Sequence, residues 1–326
     1  MARDPAPSDS HTKAETVAEV SEFDLIGQLT KGRPRPAGTL LGPGDDAAIL
    51  AAADGRVVAT TDVLTEGVHF RLDWSTPEQV GRKAAAVNLA DLAAMGARPT
   101  ALLVGIGCPG STKVDLLREL TTGIWQEALN VDAGLAGGDL VSAAQLVISV
   151  TALGDLQGRE PVTRAGAQPG DVVAVSGRFG WAAAGLAVLG RGFRSPVAVV
   201  NAQRWPEPPY AAGPQAAEAG ATAMIDVSDG LLADLGHIAK ASSVAIDVQA
   251  GQVEVHQRLV DVGSALGVDP LHWVLTGGED HGLAATFPEH GAVPEGWALI
   301  GSVGRGQGVT VDGGPYEGPG GWEHWR

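Results

Sequence analysis

Acidic side chains recur beside glycines and at the predicted ends of strands throughout this chain. They are Asp45, Asp46, Asp62, Asp91, Asp139, Asp226, Asp229, Glu279 and Asp280. Carboxylate oxygens are ligands for hard cations such as Mg²⁺, and Mg²⁺ usually binds together with phosphates. Their number exceeds what helix caps and turns require. If they converge on one cleft, they predict a site that holds several divalent cations around a polyphosphate.

The densest group of oxygen donors is Thr60-Thr61-Asp62, which follows the β-branched segment 56–59. A strand there places Asp62 near its C-terminal end, where ligands gather in open α/β sheets. Gly67 and His69 follow shortly afterwards. Taken alone, the segment equally suits a threonine-rich edge strand with a solvated aspartate and a core histidine.

A helix is predicted over 76–95, with Thr76 as its N-cap and Gly96 as its stop. Asn88 and Asp91 lie three residues apart on this otherwise small and apolar helix, so they share one face. A carboxylate in apolar surroundings is costly unless a cation pairs with it. That cation is either a bound metal or a distant arginine.

The second half repeats the pattern of a strand followed by a helix. Segment 223–227 predicts a buried strand, and a helix with an apolar stripe follows Asp229. An N-cap role explains Asp229, whereas Asp226 lies within the apolar strand and has no such explanation. A glycine-rich turn over 276–281 precedes a further strand, 282–287.

Further helices and strands are predicted before, between and after these residues. They are a helix within 17–29, a strand 100–106, a helix 114–129, strands 146–154 and 171–176, a helix 182–189, and a long irregular segment 191–214. Gly137-Gly138-Asp139 predicts a glycine turn where backbone can approach a ligand closely. Arg164 lies beside glycines and could form a phosphate fork.

Length and composition predict two domains in a globular protein. We divide the chain of 326 residues into a disordered tail 1–16, an N-terminal domain 17–155 and a C-terminal domain 156–326.

The net charge of −16 argues against nucleic-acid and anionic-membrane surfaces. Cys108 is the one cysteine, which excludes an internal disulfide and cysteine-based zinc sites. Without a signal peptide or a long apolar run, we expect a cytoplasmic protein.

Common catalytic and nucleotide-binding motifs do not identify the function of this chain. The segment 105–110 matches the dinucleotide pattern G-x-G-x-x-G, but Pro109 interrupts it and no strand with an acidic residue follows at the expected distance. No Walker A sequence, Ser-His-Asp order or H-E-x-x-H occurs. The carboxylates and glycine turns therefore carry the prediction.

Several motifs together closely resemble the thiamine-monophosphate kinase family from about residue 22 to residue 322. They are Gly44-Asp45-Asp46-Ala47-Ala48, Thr60-Thr61-Asp62, Glu66-Gly67-Val68-His69-Phe70, the helix segment 86–97, Gly137-Gly138-Asp139, Thr163-Arg164-Ala165-Gly166, the segment 225–231 and Gly277-Gly278-Glu279-Asp280. Two departures are modest. Leu140 stands where the family often carries a hydroxyl, and Trp322 replaces what is often another aromatic residue.

The resemblance implies an α/β (α+β) fold of the aminoimidazole ribonucleotide synthetase type. In it an N-terminal domain forms a β-barrel across a homodimer and a C-terminal α/β domain completes the site. It implies magnesium ligands at Asp46, Thr60, Thr61, Asp62, Asp91, Asp139, Asp226 and Asp229. ATP contacts are implied at Gly138, Asp139, Arg164 and Ser228. Contacts to thiamine phosphate are implied at His69, Glu279 and Trp322.

The implied reaction converts ATP and thiamine monophosphate into ADP and thiamine diphosphate, with several Mg²⁺ ions and no general base. Related synthetases are rivals. A selenophosphate synthetase is disfavoured because no Cys-Gly-x-Lys-like segment precedes Asp45. A hydrogenase maturation protein is disfavoured because the C-terminus ends in Trp325-Arg326 and has no cysteine. A purine-pathway synthetase is an alternative, although the His69 segment and Trp322 favour an aromatic cationic substrate. A non-catalytic cation- or nucleotide-binding protein is another, which Mg²⁺-dependent ADP release with thiamine phosphate would separate.

Overall fold

The computed structural model describes residues 15–33, 38–41 and 47–316. Its elements up to residue 155 are a 3-10 turn Val17–Glu19, α1 Glu22–Thr30, β1 Thr39–Leu41, β2 Ile49–Leu50, β3 Val58–Thr65, α2 Pro77–Ala94, β4 Arg98–Cys108, α3 Val114–Leu129, β5 Gly134–Ser142 and β6 Val147–Asp155. The later elements are β7 Val172–Ser176, α4 Trp181–Gly190, α5 Val197–Arg204, α6 Ala212–Glu218, β8 Ala223–Val227, α7 Leu231–Ser242, β9 Ala245–Val248, a 3-10 turn Ala250–Gln252, α8 Gln257–Leu266, α9 Pro270–Thr276, β10 Gly282–Phe287, β11 Ala298–Gly304 and β12 Gly308–Val311.

One mixed sheet has four strands in the order β3-β6-β4-β5. β3 and β4 both pair antiparallel with β6, and β4 pairs parallel with β5. Successive β3 side chains alternate between more buried and more exposed positions, which is expected for a sheet with one covered face. Leu102, Ile148 and Val150 belong to the core that this face forms with α2 and α3.

A second sheet has six strands in the order β12-β9-β11-β7-β10-β8. β7 and β8 both pair antiparallel with β10. Every residue of β8 and β10 is buried, so these two strands are covered on both faces. Leu231, Leu235 and Ile238 of α7 belong to one core beside this sheet. A second core joins Met224 and Phe287 to α6 and the end of α2.

α2 contacts elements of both sheets, and most of its 18 residues are buried. Glycines allow its neighbours to come very close. A Cβ added at Gly81 of α2 would lie 1.9 Å from the carbonyl oxygen of Leu120 on α3. A Cβ added at Gly213 of α6 would lie 1.9 Å from the carbonyl oxygen of Ala93 on α2. The two halves of the chain are therefore packed directly onto this helix.

The helix predictions for 76–95 and 114–129 are confirmed. Thr76 is the N-cap of α2 and its side chain accepts from the Gln79 N–H, while Gly96 follows with φ +72°. The strands predicted at 100–106, 146–154, 171–176, 223–227 and 282–287 are present, some with shifted ends. The predicted helix within 17–29 is a 3-10 turn followed by α1.

The expectation of an irregular segment over 191–214 is wrong, because α5 and the start of α6 fall within it. Val199 and Val200 of α5 are fully buried. A Cβ added at Gly185 of α4 would lie 2.1 Å from the Val199 carbonyl oxygen. Packing against α4 thus stabilises α5, although the prolines around it in the sequence indicate an irregular segment.

Two local placements are also corrected. Asp62 does not lie at the end of its strand, because β3 continues to Thr65. The Gly-Gly-Asp segment is not a turn but part of β5, where Gly138 pairs with Val104 and Asp139 pairs with Gly105 of β4. The parallel pairing with β4 extends the strand through the glycines.

Some predictions lie outside the described residues, namely those for Asp45, Asp46, Trp322 and most of the tail. Of the tail, Glu15 and Thr16 are placed: the Val114 N–H donates to the Glu15 carbonyl at 3.0 Å. The division at residues 155 and 156 stays a prediction, with one large sheet on each side of it. No helix in the described ranges is long and apolar enough to cross a membrane.

Candidate active site

Strand β3 and helix α2 together place the first carboxylates of the site. The Thr60 hydroxyl donates to an Asp91 carboxylate oxygen at 2.6 Å. The Asp62 backbone N–H donates to the side-chain oxygen of Asn88 at 2.9 Å, and the Asn88 amide donates to the Ala84 carbonyl. The predicted shared face of Asn88 and Asp91 is thus directed at β3. Neither side chain has a lysine or arginine partner within the described part of the chain, so the arginine alternative for Asp91 finds no support there.

Strand β8 and the turn before β10 add groups from the second half. Asp226 lies in β8, and one of its carboxylate oxygens is 3.1 Å from Nδ1 of His281. Both side chains are 7% exposed. The His281 backbone N–H donates to the Val227 carbonyl at 3.0 Å, which fixes the turn against β8. His281 Nε2 is buried without a protein partner in the described ranges.

These carboxylates lie close enough to influence one another. The pKa of Asp91 is raised to about 7, chiefly by burial and also by the neighbouring Asp226 and Asp62 charges, while the Thr60 hydroxyl opposes the shift. Burial likewise raises the pKa of Asp62, with His281 opposing and Asp226 adding to the rise. Carboxylates of both halves of the chain therefore converge and repel one another.

Two other acidic residues are used to hold backbone. An Asp234 oxygen accepts from the N–H groups of Asp229 and Gly230 at 3.0 and 3.1 Å. An Asp280 oxygen accepts from the Ala182 N–H at 2.8 Å, at the start of α4. Burial raises the pKa of each to about 7. The N-cap of α7 is Gly230, so the proposed capping role of Asp229 is wrong.

A buried lysine connects the predicted substrate contacts. Lys83 of α2 is 2% exposed, forms an ion pair with Glu279 and donates to the His69 carbonyl at 3.0 Å. His69 Nδ1 accepts from the Thr65 backbone N–H at 3.0 Å, which orients the imidazole ring. Desolvation acts to raise the pKa of Glu279, but the Lys83 ammonium, together with His281 and His69, outweighs it, and the pKa lies below its ordinary value.

Other predicted residues lie apart from this cluster. The Thr61 hydroxyl donates to the Val150 carbonyl at 3.1 Å, and its side chain is on the opposite face of β3 from Asp62. Paired residues on neighbouring strands share one face of the sheet. Asp62 pairs with Val150, whereas Asp139 pairs with Gly105, which in turn pairs with Ser149. Ser149 and Val150 are consecutive in β6, so their side chains are on opposite faces. Asp139 therefore points away from the face that carries Asp62.

The predicted ATP contacts are spread over three elements. Gly138 is exposed on the edge strand β5, and Arg164 is exposed before β7. Ser228 follows β8, and its carbonyl accepts from the Glu279 N–H at 2.8 Å. A Cβ added at Gly278 would lie 2.3 Å from that same carbonyl oxygen, so only glycine permits this close approach. Ser228 thus borders the turn over 277–281, which carries Glu279.

Lys83, Asp234 and His281 were not singled out by sequence reasoning. Lys83 carries the same signal as Asp91, a charge on an apolar helix, and could have been found that way. Asp234 looks like an ordinary first-turn acid of α7, and His281 like the end of a turn. Their roles depend on partners from other elements, which no local pattern indicates.

The donor set contains only oxygen on the β3–α2 side: the Thr60 hydroxyl and the Asp62 and Asp91 carboxylates. Among the described residues, no three His, Cys, Asp or Glu groups converge closely enough to hold a metal by themselves. Mg²⁺ is commonly bound by one or two carboxylates together with waters and substrate phosphates. An open set of mutually repelling carboxylates suits that mode of binding.

Comparisons with known proteins agree with this arrangement. Residues 44–156 match the family model described as AIR synthase related protein, N-terminal domain. The thiamine-monophosphate kinase of Mycobacterium tuberculosis is 51% identical over 96% of this chain and 94% of its own. The chain belongs to the thiamine-monophosphate kinase family. The described fold is accordingly the one shared by AIR synthase-related proteins.

Solved structures of thiamine-monophosphate kinases resemble this chain over nearly their whole length. The enzyme from Stenotrophomonas maltophilia has 34% identity and a TM-score of 0.77, covering 94% of this chain and 100% of that one. A structure described as AaThiL complexed with AMPPCP and TMP has 31% identity and a TM-score of 0.76, covering 93% and 96%. The predicted family and fold class are confirmed.

Proposed function

We propose that this thiamine-monophosphate kinase family member transfers the γ-phosphoryl group of ATP to thiamine monophosphate, giving ADP and thiamine diphosphate. The observation that carries the proposal is the convergence of Asp62 and Asp91 with Asp226 from the other half of the chain. A relative with 31% identity is described in complex with AMPPCP and TMP, an ATP analogue and the expected acceptor. Both substrates are thus accommodated by this fold.

The chain's own groups position two polyanions rather than move protons. The acceptor phosphate is already ionised near neutral pH, so its oxygen needs no general base. The reaction then depends on holding acceptor and donor in line and on neutralising the transferred group. This requirement agrees with a site rich in carboxylates and without a catalytic triad.

Mg²⁺ is the cation that we propose for the carboxylate cluster. Carboxylates alone repel phosphate, and bound Mg²⁺ supplies the positive charge that joins the two. The proposed metal-binding residues are Asp46, Thr60, Thr61, Asp62, Asp91, Asp139, Asp226 and Asp229. Thr61 and Asp139 lie on the sheet face opposite Asp62 within one chain. Within one chain, Thr60, Asp62, Asp91 and Asp226 are the supported core of this set, because they face one another.

Two further groups of residues are proposed to contact the substrates. Gly138, Asp139, Arg164 and Ser228 are proposed for ATP, and His69, Glu279 and Trp322 for thiamine monophosphate. His69 and Glu279 are supported by their common contact with Lys83. In the neutral imidazole of His69, the bond accepted at Nδ1 assigns the proton to Nε2, which suits a donor to substrate.

We also propose a homodimer whose N-terminal sheets close a β-barrel. The sheet face opposite α2 is uncovered in one chain: Val63 is 50% and Val141 is 52% exposed. The edge strands β3 and β5 have no further partner strand in the described ranges. A second copy would cover the apolar face and both edges. Light scattering tests this, and the molar mass of a single chain would refute it.

Product analysis tests the reaction. The purified chain is incubated with ATP, MgCl₂ and thiamine monophosphate, and the nucleotides and thiamine phosphates are separated by chromatography. We expect ADP and thiamine diphosphate in equal amounts, and neither product after EDTA treatment. Asp62→Asn should abolish formation of both, while Asp115→Asn, at a position 68% exposed, should match the unmodified chain. ADP without thiamine diphosphate would refute the acceptor assignment.

A further inference from the structure

Lys83 is an unusual residue in this molecule. It is 2% exposed and is among the largest fully buried side chains in the described ranges. An ammonium group is strongly destabilised away from water unless charged or polar partners replace the lost hydration. Its partners are the Glu279 carboxylate and the His69 carbonyl. These partners belong to two turns that are far apart in the sequence.

Each of the two turns carries a proposed contact to thiamine monophosphate. In the turn over 65–70, the His69 ring is oriented by the Thr65 N–H, and Lys83 holds the His69 carbonyl. In the turn over 277–281, Glu279 has φ +71°, a backbone conformation that non-glycine residues rarely adopt. The Glu279 N–H donates to the Ser228 carbonyl, which holds the backbone in place. Its side chain is 45% exposed, and Lys83 is the residue with which it forms an ion pair among the described residues.

We propose that Lys83 is a positioning residue for thiamine monophosphate, holding Glu279 and the His69 turn in the arrangement that receives the substrate. This inference rests on the proposed function and concerns the acceptor end of the same site. Lys83 reaches both turns from α2, a helix that also carries Asp91. The same rigid element therefore fixes the acceptor contacts relative to the carboxylate cluster.

The geometry separates this role from that of a general stabilising ion pair. Arg82, the preceding residue of α2, forms a comparable pair: its Nε lies 2.9 Å from a Glu127 oxygen whose side chain is 3% exposed. Tyr210 also donates to Glu127, at 2.8 Å. The Arg82 pair joins α2 to α3 and to the chain beyond α5, away from both substrate turns. Arg82→Met is therefore a matched control.

The test compares Lys83→Met with Arg82→Met in steady-state kinetics, with the substrates varied one at a time. Loss of a charge-assisted contact to Glu279 should raise the KM for thiamine monophosphate about tenfold or more. The KM for ATP should stay within about twofold, because Lys83 contacts Glu279 and His69 and none of the proposed ATP contacts in the described ranges. Arg82→Met should lower the melting temperature without changing the KM for thiamine monophosphate. Calorimetric titration of thiamine monophosphate with an ATP analogue present should show the same loss of affinity.

A double-mutant cycle decides whether Lys83 acts through Glu279. Glu279→Gln alone should also raise the KM for thiamine monophosphate, and adding Lys83→Met should raise it little further. Lys83→Gln, which keeps a donor for the His69 carbonyl, serves if Lys83→Met does not fold. Independent effects of the two substitutions, or equal rises in both KM values, would overturn the inference. No turnover by the unmodified chain would refute the proposed function itself. Turnover by the unmodified chain, with an unchanged KM for thiamine monophosphate in the folded Lys83 variant, would refute the inference alone.

Discussion

The β3–α2 region and the β8–α7 region each place an aspartate on a helix that follows a strand; Asp91 is half-buried and Asp234 is buried. Burial raises the pKa of both Asp91 and Asp234 to about 7. Asp91 faces the Thr60 hydroxyl and other carboxylates, whereas Asp234 accepts from the backbone N–H groups of Asp229 and Gly230. A raised pKa therefore does not by itself mark a functional carboxylate. The partners distinguish the two: Asp234 holds backbone, whereas Asp91 lies among oxygen groups of the kind that bind a cation.

The largest expected effect is on turnover when Asp91 loses its charge. Asp91→Asn keeps the size of the side chain and a bond with Thr60, but removes a proposed magnesium ligand. We expect kcat to fall about 10²–10³-fold, the scale seen when one electrostatic group is lost from a site. The melting temperature should not fall, because the substitution removes a half-buried charge that the Asp62 and Asp226 carboxylates repel. A fall in melting temperature with kcat retained would place Asp91 beside Asp234 as a structural residue.

The pH dependence of stability extends the comparison to Asp280, which also holds backbone. Burial raises its pKa from 3.8 to about 7, so the folded state binds the proton more tightly than the unfolded state. The resulting stability is present at low pH and is lost as pH rises from about 4 through about 7, by up to about 4 kcal/mol. Urea unfolding across this range should show a smaller loss for Asp280→Asn than for the unmodified chain. Parallel profiles of the two proteins would contradict the assignment.

The smallest effect is expected from removing the backbone acceptor Asp234. Asp234→Ala leaves two N–H groups without their acceptor, which should lower the free energy of unfolding by about 2 kcal/mol in urea titrations. Asp234→Asn retains an acceptor oxygen and should cost less. Activity should decrease far less in either variant than in Asp91→Asn. If Asp234→Asn lost activity as completely as Asp91→Asn, the distinction between the two regions would fail.

Local signals are sufficient to predict much of the fold. Thr76, Pro77 and Gly96 define α2 because caps and stops act within one turn of the helix. The shared face of Asn88 and Asp91 follows from helical spacing, and both side chains contact β3. Several strands, such as 146–154 and 282–287, are likewise legible from their apolar runs, whereas α8, α9, β9, β11 and β12 were not predicted.

The remainder depends on contacts between distant segments. α5 is stabilised by packing of Val199 on α4, and Gly138 is part of a strand because β4 pairs with it. A single sequence does not reveal that Lys83 meets Glu279, or that Asp234 is occupied by backbone while Asp91 is not. The family resemblance supplied a set of site residues, and the geometry separates those that face one another from those that do not.

The burial of α2 bears on how the molecule opens. Its backbone is enclosed by α3 at Gly81, by α6 at Ala93 and by β3 along the face that bears Asn88. Amide hydrogens in the middle of α2 can exchange with solvent only when elements of both halves have separated from it. Local fluctuations at either end then leave α2 protected. The chain should lose both sheets in one cooperative event, and its binding capacity disappears at that same step.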